Sequence, residues 1–388
     1  MLQKLFVRLE EIYPELVSFR RDMHMYPELS FEEVNTPVKI ADFLQSLGLE
    51  VERQVGGRGV IGRLKGGKPG KTIAFRADFD ALPIQDEKDV EYKSRIPGVM
   101  HACGHDIHTA SLLGVAKVLS EVKEEISGNV VFIHQFAEEQ IPGGAKSMIE
   151  DGCLNGVDAI YGVHVWSSLP VGTIGIIDEY AMAAGDKFDI KIIGKGGHGA
   201  KPQITIDSLV VGAQLVNNLQ NIVSRRIDPH APAVVTVGTF QAGQAFNVIA
   251  ERANITGTVR TFDDNVRDSI EEYIKQISHS TCESAGAKAV VEYERGYPPL
   301  WNHPDHIQKA ENVAIKLVGK ENVKYPSPSM GMEDFSYYLK EVPGAFVFVG
   351  GGNSDIDADY PQHHPKFNVD ERSILISAKL FLSLLIEE

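Results

Sequence analysis

The feature that most restricts the fold of this chain is a change of rhythm near residue 185. Before it, helical patterns alternate with short β-rich runs. TPVKIADFLQSLGLEV reads as a helix, KTIAFRAD as a buried strand and DIHTASLLGVAKVLSEV as a helix. NVVFIHQF then reads as a strand, AKSMIEDG as a short helix and VDAIYGVHVW as a strand. Such alternation calls for an α/β core around a largely parallel sheet. From residue 185 the order becomes β-α-β-β-α-β: KFDIKIIGKG, IDSLVVGAQLVNNLQNIVSRR, AVVTVGTFQAG, RANITGTVRTF, DSIEEYIKQISHSTCESAG and AKAVVEYERG. That is the split βαβ order of a ferredoxin-like unit, complete in itself. After Pro298 and Pro299 the α/β style returns, with a helix near 304–318, the strand AFVFVGG and a final helix from Glu371. We therefore expect a discontinuous first domain, residues 1–184 and 294–388, with residues 185–293 inserted as a second.

Composition narrows the partners. A formal net charge of −15 over 388 residues disfavours nucleic acid or an anionic membrane, either of which would prefer a basic face. The N-terminal stretch MLQKLFVRLEEIYPELV is interrupted by Arg8, Glu10 and Glu11, so it reads as an amphipathic helix rather than a signal peptide. No apolar run is long enough to span a bilayer. The three cysteines, Cys103, Cys153 and Cys282, are an odd number at wide spacings, which suits a reducing cytoplasm and no disulfide framework.

Chemistry-bearing residues concentrate in a few short stretches. In HACGHDIHTA, residues 101, 103 and 105 can converge if that segment is extended, and Asp106 is then the expected N-cap of the helix that follows. Cys103 could be a metal ligand or a nucleophile with His105 as its base. Glu138 and Glu139 follow a buried strand, where α/β proteins collect ligands. Adjacent carboxylates repel unless a cation or a shared proton holds them. His164 lies inside an apolar strand, where a lone histidine is more often a core residue than a ligand. Gln362-His363-His364-Pro365 reads equally as a polar loop, and Asp78 and Asp80 as turn residues or as acceptors that orient a ligand histidine. Taken together, one cysteine, one glutamate and three histidines flanking one α/β domain suit two borderline divalent ions, with a thiolate as the bridge.

The motifs RADFDALP, MHACGHDIHTA, HQFAEE, GVHVW, GKGGHGAKP, FNVIAERANITGTVRTF, GMEDFSYY and HHPKF occur in this order across nearly the whole chain. In them the chain resembles the bacterial aminoacylase/hippurate hydrolase family of dinuclear metallohydrolases. That group also holds the plant auxin-conjugate hydrolases and the N-acetyldiaminopimelate deacetylases. The resemblance implies a zinc-exopeptidase-like α/β catalytic domain with a mixed sheet, and an inserted ferredoxin-like lid that also dimerises. It implies Cys103, His105, Glu139, His164 and His363 as ligands of two divalent ions, zinc or manganese first, nickel or cobalt as alternatives. Glu138 would be the general acid/base, and Asp78 and Asp80 would support the ligands. His198, reaching a partner subunit's site, would hold the scissile carbonyl oxygen, while Asn247 and Arg260 bind the substrate carboxylate.

Two departures stand out. Phe136 replaces a usual proline, and the doublet His363-His364 leaves two candidates for the last ligand. His101 is expected as a neighbour of the site and His108 as helix packing or ligand support. The implied activity is hydrolysis of an N-acyl amino acid or short peptide by a cytoplasmic homodimer or dimer-based oligomer. Its rivals are a metal-free amidase with Cys103 as nucleophile, and a non-catalytic binding protein of the same fold.

Overall fold

The computed structural model describes residues 1–387. The chain divides into two compact units: Met1–Ala181 with Trp301–Ser327 and Asp334–Glu388, and Met182–Leu300 with Pro328–Glu333.

The first unit is built on an eight-stranded mixed sheet. Its order is Glu50–Val55, Gly59–Lys65, Ser127–Gln135, Lys68–Asp78, Ala159–Pro170, Gly344–Gly352, Ile174–Gly175 and Val323–Lys324. The four central strands, Ser127–Gln135 through Gly344–Gly352, run parallel, and antiparallel pairs lie on either side. Parallel strands are covered on both faces, which is why Ile73–Asp78 and Val130–Gln135 are buried without alternation. Against the sheet lies the helix His105–Ser120, apolar nearly all round and exposed only partly at Lys117 and Ser120. The helix Leu2–Met25 turns a stripe of Leu5, Leu9, Ile12, Leu16 and Met23 inward, and Leu16 lies so near Gly114 that a Cβ there would come within 2.6 Å of it. Arg372–Glu387 packs beside both helices.

The second unit is a four-stranded antiparallel sheet, ordered Ala233–Ala242, Arg252–Thr261, Ala184–Ile193 and Lys288–Arg295. Phe188, Ile190, Ile192 and Ile255 form a core with Leu215 and Leu219 of the helix Ser208–Leu219 and with Ile270, Ile274 and Ile277 of the helix Asp264–Ser284. Asp207 and Asp263 cap those helices by accepting two backbone N–H bonds each. Pro328–Glu333 is tied in by Ala183 N–H, bonded to the carbonyls of Ser329 and Gly331 at 3.0 and 3.1 Å. A two-stranded ribbon pairs Gly197–His198 with Val248–Ile249. No helix among the described residues is long and apolar enough to cross a membrane.

Candidate metal centre

Three neighbouring parallel strands in the middle of the first unit's sheet deliver polar side chains at and beyond the carboxyl end of Lys68–Asp78. The chain leaving Lys68–Asp78 carries Asp80, the chain leaving Ser127–Gln135 carries Glu138 and Glu139, and His164 sits on Ala159–Pro170. The helix His105–Ser120 begins beside them. Its N-cap is Gly104, at φ 95°, and a Cβ built there would lie 2.3 Å from Val165 Cγ1. Only glycine tolerates both constraints, and the turn it makes lets Cys103 and His105 approach one another. The expected N-cap, Asp106, is instead a first-turn residue. Its buried carboxylate is taken by Arg20 at 2.7 Å and His24 at 2.8 Å, an ion pair formed only once the N-terminal helix docks.

The ligand atoms gather in overlapping groups, each within 4.8 Å: Cys103, His105 and His164; Cys103, Glu139 and His363; and His105, Glu138 and Glu139. Cys103 Sγ lies 3.3 Å from His164 Nε2, while Glu139 Oε1 lies 3.2 Å from His363 Nε2 and 3.8 Å from His105 Nε2. Cys103, His105 and Glu139 each belong to two of these groups, so the three sets form one continuous cluster.

The surroundings leave the outward atoms free. Asp80 accepts from His105 Nδ1 at 3.1 Å, from Ser30 Oγ at 2.7 Å and from Glu139 N–H at 3.0 Å. His105 Nε2 is thereby aimed into the cluster, and neither it nor Glu139 Oε1 has a hydrogen-bond partner although both are buried. His164 donates Nδ1–H to the Val165 carbonyl at 2.7 Å, which frees Nε2. Asp78 is gripped by Arg76 at 2.6 Å and by His108 Nδ1 at 2.6 Å, and His108 Nε2 accepts from Val165 N–H. Imidazoles with one nitrogen engaged and the other bare are the usual arrangement of metal-binding histidines.

Electrostatics point the same way. Burial above all, then the charges of Glu139, Glu138 and Asp78, push the Cys103 thiol well above its ordinary pKa. Burial opposes a charge on His105, yet Asp78, Asp80 and Glu139 push it up to about 10. Burial, then His108, holds His164 well below its usual value, as a neutral imidazole. A pocket that favours a cation on His105 and opposes a thiolate is one in which bound divalent ions would reverse the local balance. The donor set of one sulfur, three imidazoles and carboxylate oxygen fits such ions.

Other expected residues fall as follows. His363, at φ 64°, reaches the cluster with its backbone N–H on the Ala102 carbonyl at 2.8 Å. His364 stacks on Tyr360 at 4.6 Å instead and accepts from Lys366 N–H. His101 is buried beside His24, 6.1 Å between rings, and belongs to none of the groups. Phe136 is buried edge-on against Phe31, 5.8 Å between centroids, behind the Glu pair.

In the second unit, His198 and Val248 are paired across the ribbon, and Gly199 N–H bonds to the Asn247 carbonyl at 2.9 Å, so His198 and exposed Asn247 lie together. Arg260 is half-buried opposite Gly185, hydrogen-bonded to Thr258 and to its neighbour's carbonyl, and makes no ion pair among the described residues. Sequence reading missed Ser30, Glu33 and Arg76, all of which buttress the cluster. Ser30 and Glu33 meet partners 50 and 104 positions away, and no motif spacing marks them; Arg76 opens the RADFDALP motif and pairs with Asp78 two residues on, but also reaches Asp334 258 positions away.

The profile of the peptidase family M20/M25/M40 matches residues 74–387. An N-acyl-L-amino acid amidohydrolase of Geobacillus stearothermophilus is 47% identical over 76% of this chain and 80% of its own. Thermostable carboxypeptidase 1 of Saccharolobus solfataricus is 41% identical over 97% and 96%. Among solved structures, a dinuclear metal-binding peptidase of the same family from Bacillus subtilis superposes with a TM-score of 0.85 at 36% identity, covering 97% of this chain and 98% of that one.

Proposed function

Because the chain belongs to the peptidase family M20/M25/M40 and is thus a metal-dependent hydrolase of amide or peptide bonds, we propose that it cleaves the amide of N-acyl amino acids. One observation carries the reading: five candidate ligands from four separate segments converge, with His105 Nε2 buried, without a hydrogen-bond partner, and 3.8 Å from Glu139 Oε1. Cys103, His105, Glu139, His164 and His363 would hold two divalent ions, zinc or manganese. Such ions, when bound, acidify a water and polarise the scissile carbonyl. Glu138 takes the proton of the attacking water and delivers it to the leaving amine nitrogen. His198, whose Nδ1 accepts from Ala200 N–H at 3.0 Å, presents Nε2 outward to the carbonyl oxygen as negative charge develops there. Asn247 and Arg260 hold the substrate carboxylate, the guanidinium by a charge-assisted pair.

A homodimer through the second unit is part of the reading. Supporting it, Ala233–Ala242 is an edge strand of its sheet and exposes Val234 and Phe240, a surface that another chain can cover. A cytoplasmic setting agrees with three buried, unpaired cysteines. A nucleophilic Cys103 is disfavoured, since attack needs a thiolate and this thiol's pKa is raised. Cleavage of peptides at the C-terminus is the second reading, favoured by the carboxypeptidase relative.

The test is chelation followed by reconstitution, with N-acetyl, N-benzoyl and longer acyl amino acids set against dipeptides. Loss and metal-dependent recovery of acyl amino acid hydrolysis is the expected result. Activity that survives chelation and dies on thiol alkylation would overturn it, and turnover of peptides alone would shift it to the second reading.

A further inference from the structure

The two glutamates of the centre are reached through an unusual piece of backbone. Ala137, immediately before Glu138, is fully buried at φ 51°, a left-handed conformation that a residue with a Cβ adopts only when its surroundings enforce it. Several contacts hold this elbow. The Ala137 carbonyl accepts from Gly144 N–H at 3.2 Å, and Ala137 N–H donates to Glu33 Oε1 at 2.9 Å. Two residues on, Glu139 N–H donates to Asp80, which also accepts from Ser30. Ser30 and Glu33 belong to one short segment, PELSFEE, anchored to the Asp80 strand end by Ala81 N–H on the Glu28 carbonyl at 2.9 Å.

Glu33 is an expensive residue to keep there. Its side chain is buried, its Oε2 has no hydrogen-bond partner, and burial, followed by the charge of Asp80, pushes its pKa up to about 8. Arg58, on the neighbouring strand Gly59–Lys65's leading turn, covers it: one guanidinium nitrogen bonds to the Glu33 carbonyl, and Nε lies 3.9 Å from Oε2. A buried carboxyl tolerated under these conditions, with its one good bond to the backbone before the acid/base, is the signature of a group retained for geometry.

We propose that Glu33 is a positioning residue: its side-chain oxygen holds the Ala137 amide, and with it the left-handed elbow that aims Glu138, while the Glu139 amide is held separately by Asp80. Glu33 touches neither substrate nor ions. It acts through Ala137, and Arg58 acts through Glu33. The inference rests on the reading of Glu138 as the acid/base, and misplacement of such a group by about 1 Å costs on the order of a hundredfold in rate. Glutamine keeps an acceptor oxygen in the same place, so Glu33→Gln separates geometry from charge.

The experiment compares Glu33→Ala, Glu33→Gln, Arg58→Met and Glu138→Gln in the full-length, metal-loaded protein. Amide hydrogen exchange of the peptide spanning residues 133–144 is read beside kcat, KM and bound metal. Glu33→Ala should speed exchange of that peptide and lower kcat roughly tenfold to a hundredfold, with KM and metal content unchanged. Glu33→Gln should restore both protection and kcat. Arg58→Met, at a partly exposed position that leaves the fold intact, should produce a smaller loss of the same kind. If Glu33→Ala does not fold, the comparison of Arg58→Met with Glu33→Gln decides alone. Unchanged exchange in both Glu33→Ala and Arg58→Met, a change in KM rather than kcat, or loss of metal in step with activity would each overturn the proposal. Undiminished turnover by Glu138→Gln would sink the acid/base reading instead, and the exchange measurement would still report on the elbow.

Discussion

Asp80 shows how much of the candidate metal centre rests on a residue outside its ligand groups. Its two oxygens take His105 Nδ1–H, the Ser30 hydroxyl and the Glu139 amide, so one carboxylate orients two candidate ligands. Burial opposes its charge, but the hydrogen bond and charge of His105 hold its pKa below the ordinary value. Asp80→Ala should release the His105 ring and weaken metal binding by roughly tenfold to a hundredfold, the usual cost of removing such a partner. Competition titration with a chromogenic chelator measures it, and affinity unchanged within twofold would remove Asp80 from this role. Glu138→Gln, in contrast, should keep its metal and lose turnover on the order of a hundredfold or more.

At the scale of elements, the first turn of His105–Ser120 is set by a charge pair rather than by a cap. Arg20 of the N-terminal helix is fully buried against Asp106, with His24 completing the contact and Glu371 at 3.2 Å. Burial disfavours the Asp106 charge, yet Arg20 and then His24 hold its pKa well below the usual range. Removing one partner of such a pair strands the other, so Arg20→Met should destabilise the protein by about 3–5 kcal/mol. Urea denaturation of the metal-free protein measures the loss. A change under about 1 kcal/mol would mean that Asp106 finds another partner or takes up a proton. The same displacement explains why the expected N-cap failed: a carboxylate free to cap in an isolated helix is claimed by a cation from a distant segment once the helices pack.

For the whole molecule, buried neutral histidines tie stability to pH. Burial lowers His134 to about 3, whereas an unfolded histidine protonates near 6.5. Between those values the unfolded chain binds the extra proton, so this contribution is complete above about pH 6.5 and is lost as pH falls through the window. His134→Gln should flatten the decline in urea midpoint of metal-free protein from about pH 6.5 to about 4. An unchanged slope would show that other groups carry it. Assembly gives the second test at this scale. If His198 serves a partner's site, mixing inactive His198→Ala and Glu138→Gln subunits should restore activity, since some sites then combine an intact glutamate with an intact histidine. No recovery under conditions that exchange subunits would confine His198 to its own chain.

Sequence by itself determined the class of architecture and the family. Periodicity of two or three and a half residues is local, so the strand–helix alternation of the first half could be read without coordinates, and the mixed α/β sheet is there. The ordered motifs were equally legible, because HACGH, the Glu pair and the GVHV strand are short stretches whose residue types carry the chemistry. What only the tertiary structure decided is which atoms meet. Periodicity cannot say that His363 turns to Glu139 while His364 stacks on Tyr360, since a single left-handed residue sends adjacent side chains apart. Nor can it find Glu33, whose partner is a backbone amide 104 positions away. Ligand choice is written in residue types along the chain, but aim is set by long-range hydrogen bonds that exist only after the strand ends, the buried helix and the N-terminal turn have packed together.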